Sequence, residues 1–230
     1  MTYLFIQNKQ RGFTLVEMAM VLLIVALLLG GLLPTISGQI ERQRVSDTRK
    51  QLDEIRQALI GFAVINGYLP CPADGTIATG QPNAGIVKSA CAAGANGGVI
   101  PWVILGVSET DAWGRRFTYR VTPTFATAGT PFLLSSTGNL NVGLTPGGSN
   151  VAASVPVVIV SHGINGLGAY LPSGQQVTPV PAATTDEGDN VDNDNNFVSH
   201  DFAQNGFDDL VVWISPNTLM NRMVAAGKLP

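Results

Sequence analysis

From Met18 to Ile36 the chain runs nineteen residues without a charge (MAMVLLIVALLLGGLLPTI). A helix of that length covers about 28 Å, close to the hydrocarbon thickness of a bilayer. The pattern then becomes one-sided. Val45, Thr48, Leu52, Ile55, Leu59 and Phe62 recur three or four positions apart, as one face of a helix does, while Glu41, Arg42, Arg49, Lys50, Asp53 and Arg56 fill the opposite face. These two patterns predict one long helix from about Thr14 to Ile65, apolar all round in its first half, amphipathic in its second, and ended by Asn66-Gly67.

After Gly67 short β-like runs alternate with turns, marked by Asn-Gly pairs at Asn96, Asn165 and Asn205 and Asp-Gly at Asp74. The predicted strands are Arg116–Thr122, Pro131–Ser136, Pro156–Ser161 and Leu210–Ser215. The last two carry near-continuous apolar runs (VVIVS and LVVWIS), as central strands buried against a helix do. No helix-sized crossover separates the strands, so antiparallel pairing and an α+β fold are expected. Ser215-Pro216 reads as the N-cap and first position of a closing helix, with Leu219, Met220, Met223 and Val224 on one face before Gly227.

Composition narrows the function classes. Of 230 residues 45% are apolar and 13% charged, which suits one globular domain plus one greasy segment. The net charge is -3, and no cluster of Lys and Arg interleaved with aromatics is present to grip a phosphate backbone, so nucleic acid is not an expected partner. No G-x-S-x-G, H-E-x-x-H, P-loop or G-x-G-x-x-G occurs. Ser161 and His162 are adjacent at a strand end and should point to opposite faces. No catalytic residue is assigned, and an enzyme is not expected; a membrane-anchored hydrolase would need His162 or His200.

The chain's start holds an anomaly. Lys9 and Arg11 precede Phe13 with no acid among them, and Glu17 then sits at the mouth of the apolar run. A carboxylate at the centre of a membrane helix costs up to ~2.5–3.5 kcal/mol, less near an end, and no cation stands close in sequence. A secretory signal peptide is opposed by this acid and by the length of the run. A plain anchor with Glu17 snorkelling to the interface is the blander alternative. Counting positive charges leaves orientation open, since Arg42, Arg44, Arg49 and Lys50 follow the run.

The segment Arg11-Gly12-Phe13-Thr14-Leu15-Val16-Glu17-Met18 resembles the type III signal of type IV pilins and of the pseudopilins of type II secretion. The resemblance implies a pilin-like fold, a long N-terminal helix packed on an antiparallel sheet head. It implies a leader at 1–12, a helix at 13–66 embedded in the membrane at about 14–36, and a periplasmic head at 67–230. A prepilin peptidase would cut between Gly12 and Phe13 and methylate Phe13. Glu17 would then meet the new ammonium of a neighbouring subunit, an attraction of about 4 kcal/mol at ~4 Å and an effective dielectric of ~20, before desolvation is subtracted. Pro34 falls where many such helices carry a loosening proline, and Gly30 and Gly31 just before it weaken the helix further. The implied partners are the peptidase, other pilin or pseudopilin subunits, an inner-membrane assembly platform and membrane lipid, and the implied role is filament assembly. The alternative from another class is a singly anchored periplasmic binding or adhesive module.

In the periplasm, Cys71 and Cys91, the two cysteines of the chain, are most simply a disulfide, worth roughly 3 kcal/mol; two free buried thiols are the alternative. Between Arg120 and Arg222 there is no Lys or Arg, whereas eight of the sixteen acids fall between Asp186 and Asp209. Asp186, Asp189, Asp192 and Asp194 offer oxygen ligands on a turn-prone backbone, as calcium requires, although the run is not an EF-hand; a solvated acidic loop is the alternative. The segments Asp111-Ala112-Trp113-Gly114, Phe117-Thr118-Tyr119 and Ser161-His162-Gly163-Ile164-Asn165-Gly166 resemble the D-P-W-G, Y-x-Y and S-x-G-x-D-G landmarks of major pseudopilins, with alanine in place of proline and asparagine in place of aspartate. In those proteins an acidic loop after the last landmark binds calcium, so a structural calcium ion is the one bound group implied, and no cofactor is required.

Overall fold

A computed structural model of the chain describes residues 12–88, 97–202 and 206–229, apart from the side chains of residues 29–37. The chain divides into two compact units, Met1–Gln43 and Arg44–Pro230. Helix α1 (Leu15–Asn66) begins in the first. Its large apolar side chains between Leu15 and Leu28 stand in the open, from 43% exposed at Val25 to 88% at Leu15. A helix apolar on every side is a poor surface to show to water. The expected span at 14–36 reaches into residues 29–37, whose side chains lie outside the described residues, and Gly30, Gly31 and Pro34 are among them. Among the described residues no helix is long and apolar enough to cross a membrane.

In the second unit α1 is one-sided, as its stripe predicts. Thr48, Leu52, Ile55, Leu59, Ile60 and Ala63 are buried. The helix stops where the backbone of Gly67 turns left-handed (φ +83°) and its N–H donates to the Ala63 carbonyl at 2.7 Å, the glycine cap that Asn66-Gly67 foretells.

The head stacks helices, a four-stranded sheet and a three-stranded sheet. Strands β1 (Gly97–Val99), β2 (Thr118–Val121), β5 (Val157–Ser161) and β7 (Leu210–Ile214) pair in the order β1-β2-β5-β7, every pair antiparallel. One face of this sheet carries Tyr119, Val121, Val157, Ile159 and Ile214 into a core with Leu52, Ile55 and Leu59 of α1 and Leu219 and Met223 of α2 (Pro216–Ala225). Val158 and Val160 on the other face pack against Leu140, Val142, Val155 and Phe197. Those belong to β3 (Leu140–Gly143), β4 (Asn150–Val155) and β6 (Asn196–Val198), ordered β4-β3-β6. Strand β5 is thus covered on both sides, which is why VVIVS shows no alternation. At α2 the Ser215 hydroxyl accepts the Thr218 N–H at 3.2 Å ahead of Pro216, the cap read from sequence.

Two expectations need correction. Pro131–Ser136 is not a strand; Phe132 leaves the chain direction there to pack on Phe125, ring centroids 4.9 Å apart. Antiparallel pairing also fails at one place, because β3 and β6 run parallel.

Candidate functional site

The end of β5 delivers Ser161 and His162 to opposite sides. The Ser161 hydroxyl donates to Asp111 Oδ2 at 2.7 Å, while Asp111 Oδ1 accepts the N–H groups of Trp113 and Arg115 at 2.9 and 3.0 Å. Burial raises the pKa of this carboxyl, and those bonds counter the shift. The Ala112 N–H donates to Thr48 of α1 at 3.3 Å, so the D-A-W-G turn is a clamp joining the helix to the sheet. His162 faces the other way. Its Nε2 lies 2.7 Å from the Thr118 hydroxyl and its Nδ1 lies 3.7 Å from Asp209 Oδ1. Burial lowers its pKa to about 4, with the Arg115 charge adding to the shift. Serine and histidine therefore do not form a nucleophile–base pair, as strand geometry predicts.

The loop after His162 is drawn onto the segment at Asp208 that leads into β7. Gly163 (φ +52°) lies so close that a Cβ there would stand 2.2 Å from the Asp208 carbonyl oxygen. Arg115 holds the loop from outside, with Nη1 2.6 Å from the Gly163 carbonyl and Nη2 2.8 Å from that of Ile164. Asn165 then bridges two acids, its N–H donating to Asp208 Oδ2 at 2.8 Å and its Nδ2 to Glu187 Oε1 at 2.7 Å. Asn190 donates to Asp209 Oδ2 at 2.8 Å. The carboxylates of Glu187, Asp208 and Asp209 each place an oxygen within 4.8 Å of the others. Burial pushes Asp208 up to about 6 and Asp209 well above the usual carboxylate range.

A second group forms on the acidic loop, where Asp189, Asp192 and Asp194 also bring oxygens within 4.8 Å of one another. Burial pushes Asp189 up to about 6, and the charges of Asp194, Asp192 and Asp186 add to it. The loop has a cation that its own sequence lacks. Arg120 of β2 donates to Asn193 and Asn195, and the charges of Asp194 and Asp192 oppose the fall that burial imposes on its pKa. Of the four residues read as calcium ligands, Asp189, Asp192 and Asp194 converge. Asp186 instead accepts from or faces His200 Nε2 at 3.0 Å. Glu187, Asp208 and Asp209 were not read as a group, although Asp208-Asp209 stands directly before the last strand.

At the start of α1, the N–H and hydroxyl of Thr14 both donate to Glu17 Oε2, at 2.8 and 2.9 Å, and the Glu17 N–H donates back to the Thr14 hydroxyl at 3.2 Å. This is a capping box, in which threonine and glutamate three positions apart satisfy each other's helix-end donors. Gly12 and Phe13 lie just before the helix, exposed, with no atom within 4 Å of a Cβ built on Gly12. The segment 7–33 matches the prokaryotic N-terminal methylation motif. This motif is the prepilin-type cleavage and methylation signal of type IV pilins and pseudopilins. No curated protein and no solved structure matches the chain.

The prepilin-type signal covers Gly12, Phe13, Glu17, Gly30 and Gly31, and ends one residue before Pro34. Most of the leader, residues 1–11, lies outside the described residues, as does Cys91. Cys71 is half-buried, and the described residues hold no free thiol.

Proposed function

We propose that the chain is the precursor of a structural subunit of a type IV pilus-like or type II secretion filament, cut by a prepilin peptidase between Gly12 and Phe13, methylated on Phe13 and assembled through α1. In this reading the apolar half of α1 anchors the precursor in the inner membrane, with the head on the periplasmic side. The observation that carries it is the methylation motif at 7–33 continuing into a helix whose apolar side chains from Leu15 to Leu28 are all exposed. Such a surface is stable only in lipid or against other helices. Within the head we infer a Cys71–Cys91 bridge, supported by the lack of a free thiol at Cys71, and calcium held on the acidic loop by Asp189, Asp192 and Asp194.

Intact-mass measurement tests the reading. Loss of residues 1–12 and gain of one methyl group on Phe13 is expected in a host with a working peptidase, and an uncut chain returns the protein to the simple-anchor class. Glu17→Ala should still be cut and folded but should be absent from filaments; alanine-variant filaments at wild-type yield would remove Glu17 from assembly.

A further inference from the structure

We propose that the outer edge of β7 is a docking edge, which takes an extended, acid-bearing segment of another protein as an added strand. The inference concerns the second unit alone and is independent of whether the chain forms filaments. β7 ends the four-stranded sheet, paired with β5 on one side. On its other side no loop or side chain among the described residues bonds its backbone. The outward N–H and C=O groups of alternate residues are left for a partner.

The other three sheet edges are blunted, each by a different device. Ala73 bonds Val99 of β1 in both directions, at 2.9 and 3.1 Å, and Lys88 Nζ donates to the Gly97 carbonyl at 3.0 Å. The Asn190 side chain accepts the N–H of Val198 on β6 at 2.9 Å and donates to its carbonyl at 3.1 Å. β4 meets β3 through register shifts, and Ser154 within it turns left-handed (φ +54°), so that edge is irregular. β7 has none of these. Its five residues (LVVWI) hold no charge and no proline, and they pair with β5 in unbroken register. A straight apolar edge of that kind is a template for another chain, and proteins ordinarily blunt it.

The walls beside the edge select the occupant. A cleft of about 640 Å³ lies along β7 between α1 and the β3–β4 hairpin, and another of about 350 Å³ continues past Ile214 to Thr218. On the hairpin side Leu144 and Val151 are 48% and 49% exposed. On the α1 side stand two guanidiniums. Arg49 is exposed and has no ion pair among the described residues; Arg56 holds Asp53 at 2.8 Å, but its Nε is buried without a partner. Asp53 is thereby engaged, and the buried Asp209 takes the Asn190 amide at 2.8 Å, which leaves exposed Asp201 as the open acid of the cleft against two cations. An added strand turns alternate side chains to the two walls. Carboxylates on one of its faces meet Arg49 and Arg56, and apolar side chains on the other cover Leu144 and Val151. A second copy is the poorer occupant, because joined antiparallel edge to edge it would set its own Arg49 and Arg56 against these two.

The experiment titrates the full-length chain in detergent micelles with a fluorescent peptide of alternating glutamate and valine, about ten residues long, and with its lysine–valine counterpart. The glutamate peptide should bind saturably, one per chain, and should protect the amides of β7, not those of β4, from hydrogen exchange. Arg49→Glu, a change at an exposed helix position, should weaken that peptide about 3–10-fold and favour the lysine peptide instead. No saturable binding up to about 1 mM overturns the docking edge. So do protection that falls outside β7 and an Arg49→Glu chain that binds the glutamate peptide as well as wild type. Protection of β7 that grows with protein concentration in the absence of peptide would make the occupant a second copy and overturn the proposed partner.

Discussion

Replacing Gly163 by alanine attacks the contact that draws the two halves of the polar site together, and a second glycine supplies the control. Gly163 and Gly114 both have left-handed backbones (φ +52° and +81°). An L-residue in that region costs about 1–2 kcal/mol. At Gly114 nothing lies within 4 Å of a built Cβ, so Gly114→Ala should cost little beyond that. At Gly163 the Cβ would meet the Asp208 carbonyl oxygen at 2.2 Å and the Asp208 carbonyl carbon and Cγ at 2.7 Å. These are backbone and short side-chain atoms that cannot swing aside. Overpacking of that kind adds about 1–3 kcal/mol, giving a total of about 2–5 kcal/mol for Gly163→Ala. Urea denaturation of the full-length chain in micelles, followed by tryptophan fluorescence, measures both variants on one scale. Equal losses for the two alanines would refute the close approach, and with it the account of why the S-x-G landmark needs its glycine.

Two further outcomes follow from buried charge. In divalent-free buffer, head stability should fall as pH rises from about 4 to about 6. Asp189 and Asp208 titrate in the fold at about 6, so the unfolded chain, titrating near the ordinary value of 3.8, loses its protons first. Tm measured across that window should decline less in Asp208→Asn; a Tm that rises over the same window would contradict the sign. Arg116, fully buried, pairs with Glu109 at 2.8 Å, donates to the carbonyls of Gly75 and Ile77 at 2.9 and 2.8 Å and stacks 4.7 Å over Trp102. Lysine offers no planar fork for these partners. Arg116→Lys, which keeps the charge but leaves buried carbonyls without a donor, should therefore cost about 1–3 kcal/mol in urea denaturation, and a loss under about 0.5 kcal/mol would show that the network is not what holds the 74–79 loop.

How far the sequence could be read depended on whether one residue's surroundings repeat along the chain. The second half of α1 was legible because a single stripe meets a single core. β5 was legible because a strand covered on both faces is apolar at every position; β7 carries a similar apolar run although it is half-buried up to Ile214. β3 and β4 were not, since LNVG and NVAASV owe their strand state to each other and to β6, and β4 is largely exposed. Phe132 misled in the opposite sense: an apolar residue inside a run looked like strand but is a plug for Phe125. The site shows the same division. Its acids were visible as composition, but their grouping was set by sheet register. Ser161 pairs with Leu210 across β5 and β7, which carries His162 to the side of Asp209 over a sequence gap that no local pattern spans. Arg120 reached the acidic loop in the same way, from β2.

The capping box at Thr14 and Glu17 changes what the carboxylate of the signal is asked to do. Without a partner molecule, Glu17 is not a bare charge at the mouth of an apolar helix: Oε2 takes two hydrogen bonds from Thr14, and the carboxylate lies at the positive end of the helix dipole. That gives the precursor a tolerable resting state before any ammonium exists at Phe13. In the proposed function, cleavage would place a cation one residue before Thr14, and N-methylation would keep its charge. On that reading a neighbour's Phe13 ammonium would engage Glu17 only in competition with Thr14, so the proposed assembly contact would be worth the difference between two bonded states rather than the full attraction of about 4 kcal/mol at ~4 Å. The consequence is a variant with the opposite effect to Glu17→Ala. Thr14→Val removes the hydroxyl but not the backbone donor, costs the helix end about 1 kcal/mol, and frees Glu17 for the neighbour. In a filament-yield assay it should assemble at least as well as wild type while Glu17→Ala does not, and a Thr14→Val chain as defective as Glu17→Ala would mean that the box itself, rather than a charge pair between subunits, is what assembly requires.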